Sequence, residues 1–253
     1  VKEAKQLTLD PYDSSVWVAG GSSLLHVRGD GMLLGAYTCP GKINSLALAL
    51  DESLWALGDT QLWRYSRNGA LLSSYNLSGL LTDTAKFVAV DSLNHGIWVA
   101  SEHQLIELSA TNLTNRLVNI TYSPEIERVA LDQRSGAIWV LAGSSLNGYA
   151  PDGTLIKSIS LSPLGITEAE RIAYDPVSAV IWVGGNSGLY KFSLNGALLG
   201  SIASGKEVEA IAVSPFDAIP ILNLIEPPGN ALTNNATPTF TLGYDALCLG
   251  LVC

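Results

Sequence analysis

Charge is scarce in this chain, and so are the residue types from which reactive sites are usually built. Charged residues make up 15% of its 253 positions, with 14 Lys and Arg against 23 Asp and Glu, a net charge of −9. A surface that tracks nucleic-acid phosphates needs clustered cations, so nucleic acid is not expected as a partner. Three cysteines do not make a disulfide framework. Cys248 and Cys253 can pair if residues 249–252 form a loop, which leaves Cys39 single, and small buried apolar side chains serve equally well for all three. No apolar run reaches the roughly 20 residues that span a bilayer, and no basic-then-apolar stretch opens the chain, so no membrane span is expected in this segment. GxxxxGK and GxSxG are missing as well, and the glycine-bearing stretches at Gly20, Gly143 and Gly184 are read as hairpin turns.

What is present is apolar and periodic. At 47% hydrophobic residues the chain can bury a substantial core, in one large domain or one domain plus a fragment. Five aspartates that end short apolar strands, Asp10, Asp51, Asp91, Asp132 and Asp175, stand 41, 40, 41 and 43 residues apart. Shortly after each comes a tryptophan: Trp17, Trp55, Trp98, Trp139 and Trp182, in VWVA, LWAL, IWVA, IWVL and IWVG. Turn signals recur at a third reversal as Asp30-Gly31, Asn68-Gly69, Asp152-Gly153 and Asn195-Gly196. The copy after Asp91 has Asn112-Leu113 there, so its outer hairpin is expected to be irregular.

A repeat of about 40 residues with four alternating strands and no helical period predicts an all-β β-propeller. Inner strands are expected at Gln6–Leu9, Ala47–Leu50, Phe87–Val90, Arg128–Leu131, Arg171–Tyr174 and Ala210–Val213, giving about six four-stranded blades, five complete and one partial. One blade cannot bury both faces of its sheet, so the tryptophans are expected between blades. The propeller is assigned to residues 1–217.

The pattern LALD…VWVA…LL…DG-LL resembles bacterial propellers of the NHL, YVTN and gluconolactonase-like kind over about residues 1–216. From Pro220 the chain resembles the opening strands of a bacterial immunoglobulin-like domain, of the type that follows propellers in large surface and RHS-repeat proteins. The marker is NALTNNATPTFTL, residues 230–242. Residues 218–253 are accordingly read as a partial immunoglobulin-like β-sandwich or as strands that close the propeller, and the chain as a piece of a longer protein.

Residues just before each inner strand should ring one mouth of the central channel. Counting back from each motif gives Glu3 and Lys5, Asn44 and Leu46, Thr84 and Lys86, Glu125 and Glu127, Glu168 and Glu170, Glu207 and Glu209. Three successive Glu-x-Glu pairs can hold a hard cation such as Ca²⁺, or can be neutralised across blades by Lys5, Lys86, Arg128, Arg171 and Lys206 as a salt-bridge belt. The candidate ligands are Glu125, Glu127, Glu168, Glu170, Glu207, Glu209 and Asn44. Gluconolactonase-like propellers hold a divalent metal in the channel, but their Glu, Asn and Asp ligands find no residue-by-residue match here. His26, His95 and His103 fall at unrelated repeat offsets and form no evident triad.

The expectation is a non-enzymatic recognition or scaffold propeller of a secreted or surface-displayed bacterial protein, extracellular or periplasmic. Its partners would be a protein or glycan ligand, or neighbouring domains of the parent chain. Such a binder should carry a broad apolar or aromatic patch across one face. The alternative is a metal-dependent hydrolase or lyase acting in the channel, with Glu125, Glu168, Glu170 or Glu207 as ligand or base.

Overall fold

The computed structural model describes residues 4–166 and 168–213, with the backbone of residues 223–224 and 242–243. Twenty strands form five antiparallel four-stranded sheets, each a simple meander. Blade 1 is β1 (Gln6–Leu9), β2 (Val16–Gly20), β3 (Ser23–Val27) and β4 (Leu33–Thr38). Blade 2 is β5 (Ser45–Leu48), β6 (Leu54–Leu57), β7 (Gln61–Tyr65) and β8 (Leu71–Asn76). Blade 3 is β9 (Phe87–Asp91), β10 (Gly96–Ala100), β11 (Gln104–Ser109) and β12 (Asn112–Thr121). Blade 4 is β13 (Ile126–Leu131), β14 (Ile138–Ala142), β15 (Ser145–Tyr149) and β16 (Leu155–Ser160). Blade 5 is β17 (Arg171–Asp175), β18 (Val180–Gly184), β19 (Gly188–Ser193) and β20 (Leu198–Ala203). The innermost strands β1, β5, β9, β13 and β17 pack side by side in that order. The fold is an all-β propeller.

The aspartates of the repeat are turn-makers. Each accepts a backbone N–H from the residue two positions on: Tyr12 at 2.9 Å for Asp10, Ser53 at 3.0 Å for Asp51, Leu93 at 3.1 Å for Asp91, Arg134 at 2.9 Å for Asp132 and Val177 at 2.9 Å for Asp175. Such a side chain satisfies an amide that the reversal leaves without a ladder partner.

Alternation along each strand sends one set of side chains to the following blade and the other to the preceding one. Trp17, Ala19 and Leu24 of blade 1 pack with Leu46, Leu54, Ala56 and Trp63 of blade 2. Trp55 packs with blade 3, Trp98 with blade 4 and Trp139 with blade 5. These four tryptophans are at most 2% exposed, whereas Trp182 of blade 5 is only half-buried. Burying an indole between sheets is worth several kcal/mol, so these contacts hold the blades together.

The irregular third hairpin is present: β12 is the longest strand and pairs with β11 through register shifts at Glu107, Leu108 and Ser109. Leu113, in place of the usual glycine, is buried against the core of blades 2 and 3. Residues 207–213 are described but form no strand, unlike the expected sixth inner strand at Ala210–Val213. Asn223–Leu224 (β21) pairs antiparallel with Leu242–Gly243 (β22). The rest of the immunoglobulin-like assignment, and Cys248 and Cys253, lie outside the described residues, as does Glu3. Cys39 is buried and accepts a hydrogen bond from the Tyr65 hydroxyl at 3.0 Å.

Candidate functional site

The propeller has two chemically unlike mouths, because every inner strand runs from one to the other. At the strand-start mouth the glutamates are interleaved with cations. Lys86 Nζ bonds Glu125 and lies 3.1 Å from Glu102 Oε1. Arg171 reaches the Glu170 carboxylate at 3.1 Å and donates from Nε to the carbonyl of Glu209 at 2.6 Å. The Arg128 guanidinium lies over the Phe87 ring, 5.0 Å from its centroid. Burial, reinforced by the carboxylates of Glu125 and Glu170, raises the Glu127 carboxyl above its usual range, while Lys86 and Arg171 oppose the rise. Burial also lowers the Arg128 guanidinium, with Arg171 adding to the effect and Glu170 and Glu127 opposing it.

Glu125, Glu127 and Glu170 are thus brought into one network with Lys86, Arg128 and Arg171. The side chains of the other four candidates stand apart from it. Glu168 is exposed and accepts a hydrogen bond from Asn186 Nδ2 at 3.1 Å. Glu207 and Glu209 are exposed. The Asn44 amide is spent on tethering, donating to Asp59 Oδ1 at 2.8 Å and to the carbonyl of Ala85 in the next repeat at 2.9 Å. Among the described residues no three His, Cys, Asp or Glu side chains converge as a metal-holding group. The Lys86 ammonium sits where a cation would have to sit to neutralise Glu102 and Glu125.

The strand-end mouth is apolar. A cavity of about 550 Å³ occupies the channel there, with lining from all five inner strands that includes Leu9, Leu48, Val90, Leu131 and Tyr174, and Val213 reaches it too. Its rim exposes Leu9 at 37%, Tyr12 at 57% and Leu50 at 52%. The Tyr12 hydroxyl donates to the Leu50 carbonyl at 3.3 Å, and Gln133 Nε2 donates to the Val90 carbonyl at 3.3 Å. In an antiparallel meander the third strand ends on the same side as the first. The exposed pairs Leu33–Leu34, Leu71–Leu72, Leu155–Ile156 and Leu198–Leu199, which open the four regular outer strands, therefore ring the same face. The expected apolar patch is found, on the mouth opposite the glutamates. The offset count did not find it, since an exposed Leu at a strand end reads like a buried one. Its signal was the apolar residue directly before the aspartate turn, as in Leu9-Asp10 and Leu50-Asp51.

A second feature that the sequence pattern left unread is the residue paired across from each tryptophan. It is His26, Arg64, Glu107, Gly148 and Lys191 in blades 1 to 5. His26 stacks on Trp17 at 4.0 Å between ring centroids, with Nε2 2.7 Å from the Ser15 hydroxyl. Arg64 and Lys191 lie over Trp55 and Trp182 at 5.3 and 5.2 Å. The Ser15–His26 pair is no reactive couple, because Ser15 is fully buried.

No protein-family model matches the chain, and no curated protein matches it. Among solved structures, the crystal structure of virginiamycin B lyase from Staphylococcus aureus is similar, with a TM-score of 0.63 and 11% sequence identity over 79% of this chain and 69% of that one. At that identity the likeness establishes a shared propeller fold and leaves the activity of this chain open.

Proposed function

We propose that the chain is a recognition or scaffold propeller that binds through its strand-end face, as part of a larger secreted or surface-displayed protein in which a sixth blade and an immunoglobulin-like module follow the five blades. The observation that carries this reading is the apolar rim of Leu9, Tyr12 and Leu50 around a channel cavity of about 550 Å³. Apolar surface gathered on one face, with polar residues between, is the usual mark of a docking site for another macromolecule. A protein ligand or a neighbouring domain fits that chemistry better than a glycan, which needs a denser set of polar groups. The carboxylates of the opposite mouth then serve cohesion and solubility.

The test uses 8-anilinonaphthalene-1-sulfonate as an apolar probe of the folded chain. Saturable binding that is lost in Leu50→Glu, with unchanged melting temperature, is expected; unchanged binding in that variant would overturn the assignment of the face. Adding Ca²⁺ or Mn²⁺ tests the channel-enzyme alternative. A rise in melting temperature that Glu125→Gln removes would favour the alternative, and no shift is expected. For location, surface-added protease should digest the parent protein on intact cells; full protection would count against display.

A further inference from the structure

Outside the apolar mouth, on the same strand-end face, a second cavity of about 420 Å³ opens between blades 1 and 2. Blade 1 lines it with Asp13 from the β1–β2 turn, His26 of β3, and Leu34 and Tyr37 of β4; blade 2 adds Arg67 and Asn68 from the β7–β8 turn. All of these but Leu34 carry hydrogen-bonding groups, whereas the channel cavity is walled mainly by aliphatic side chains. The volume lies within the usual range of small-ligand pockets, ~300–1,000 Å³.

Its walls are set by the protein itself. Arg67 donates from one Nη to Asp13 of the neighbouring blade and from the other to Glu52 Oε2 at 2.9 Å. His26 is 5% exposed, lies flat on Trp17 and spends Nε2 on the Ser15 hydroxyl, so its ring is held in one orientation. Tyr37 reaches across to blade 2: a Cβ on Gly35 of its own strand, or on Gly69 of the blade 2 turn, would stand 2.1 Å from it. Gly69 has φ +75 and needs glycine for its turn, but Gly35 has no positive φ, so what its missing side chain provides is room for the tyrosine. No other joint repeats the set among the described residues. At the ladder position of His26 stand Arg64, Glu107, Gly148 and Lys191, and at that of Tyr37 blades 3 to 5 have Ile120, Ile159 and Ile202.

The charges of the lining cancel. The Ser15 hydroxyl first, then the Ser15 N–H and Arg67, hold the Asp13 carboxyl down at about 2 against its partial burial, so it stays ionised and paired with Arg67. Burial lowers the His26 imidazole, which is therefore neutral near pH 7. An ionic ligand would have to break the Asp13–Arg67 pair. Left open are the Tyr37 hydroxyl, the Asn68 amide, Arg67 Nε–H and His26 Nδ1, none of which has a hydrogen-bond partner among the described residues. Hydroxyl and amide both donate and accept. The hydroxyls of a sugar ring do the same on adjacent carbons, and its C–H face suits Leu34 and the Tyr37 ring. We propose that this cavity binds a neutral pyranose, the end unit of a glycan, with Asn68, Arg67 and His26 on its hydroxyls and Tyr37 and Leu34 beside its C–H face. The apolar mouth, too poor in polar groups for a sugar, is a separate site.

Saturation-transfer NMR of the full 253-residue chain tests this with glucose, galactose, mannose and N-acetylglucosamine, each free and as its methyl glycoside. At least one methyl glycoside should bind, with a dissociation constant on the order of 1 mM, as expected of a ligand of one ring. Asn68→Ala leaves the Asp13–Arg67 pair intact and sits at no positive φ; it should weaken binding about fivefold with an unchanged melting temperature, and Tyr37→Phe should act likewise. Leu50→Glu should leave the sugar bound. No transfer to any sugar at tens of millimolar, or binding that neither Asn68→Ala nor Tyr37→Phe weakens, would overturn the assignment. Binding of free sugars but of no methyl glycoside would leave a glycan chain no way out and overturn it too. Tighter binding of glucuronate or glucosamine than of every neutral sugar would mean that the ion pair opens to an ionic ligand, against the proposal. Loss in Leu50→Glu with retention in Asn68→Ala would put the sugar at the apolar mouth instead. Failure of the apolar rim in its own probe test, which turns on Leu50, leaves this cavity unaffected.

Discussion

Glu107 shows how a single residue can set a pH dependence. It is 2% exposed in β11, and burial first and the Asp91 carboxylate second push its carboxyl up to about 7 from 4.5. A carboxyl whose folded value lies above its unfolded one binds more protons in the folded state. Its contribution is therefore fully present below about 4.5 and is lost as pH rises through about 7. Glu107→Gln should stabilise the protein at pH 8 by on the order of 2 kcal/mol and change little at pH 5, as read from urea unfolding at the two pH values. Lys86 makes the complementary case. Lys86→Met leaves Glu102 and Glu125 facing each other and should cost about 1 kcal/mol, since the ammonium is one-third exposed. Millimolar Ca²⁺ should restore part of that loss in the variant and leave the native melting temperature unmoved. The glutamates of this mouth were legible as a group because their offset from the repeat is constant. Their partners were legible only as nearby basic letters, since pairing depends on which side chains the curvature of the ring brings together.

At the scale of the element, the strand order and the five tryptophans could be read directly, because a period of two within a period of about forty has few other physical solutions. The second inner strand is displaced, Ser45–Leu48 in place of Ala47–Leu50. Ala49 N bonds the Ser53 carbonyl at 2.9 Å and Glu52 N bonds the Ala49 carbonyl at 3.0 Å, so the turn at Asp51 takes up the last two expected residues. The outer turns carry a less obvious requirement. Gly153 has φ +82, and a Cβ added there would stand 2.6 Å from Val118 of the preceding blade; Gly31 has φ +89 and nothing within 4 Å. Both substitutions to alanine strain the backbone, but only one also collides with a neighbouring blade. Gly153→Ala should cost at least 1 kcal/mol more than Gly31→Ala in paired denaturant melts, and equal costs would show that the turn alone demands glycine.

For the whole molecule, cohesion is a chain of nearest-neighbour contacts, each centred on one indole. Trp139→Ala removes the largest side chain between blades 4 and 5 and should cost about 3–5 kcal/mol, with exchange rising first in β13–β20 and last in blades 1 and 2. Uniform loss of protection across all five blades would instead mean that the ring opens as one unit. The apolar mouth emerges only at this scale. Its leucines are spread over residues 9 to 199 and become one surface only once the meanders are set side by side.

Opposite the constant tryptophans stand five different partners: an imidazole, a guanidinium, a carboxyl, a bare glycine and an ammonium. Were the copies alike, a blade emerging during synthesis could dock on any earlier one, and skipped or exchanged blades would be nearly as stable as the correct order. With a different group paired across from each indole, the four described joints between blades are chemically distinct. A chain with Glu107 and Lys191 exchanged would keep its composition, its net charge and the five repeat tryptophans, yet set an ammonium against Trp98 and a carboxylate against Trp182.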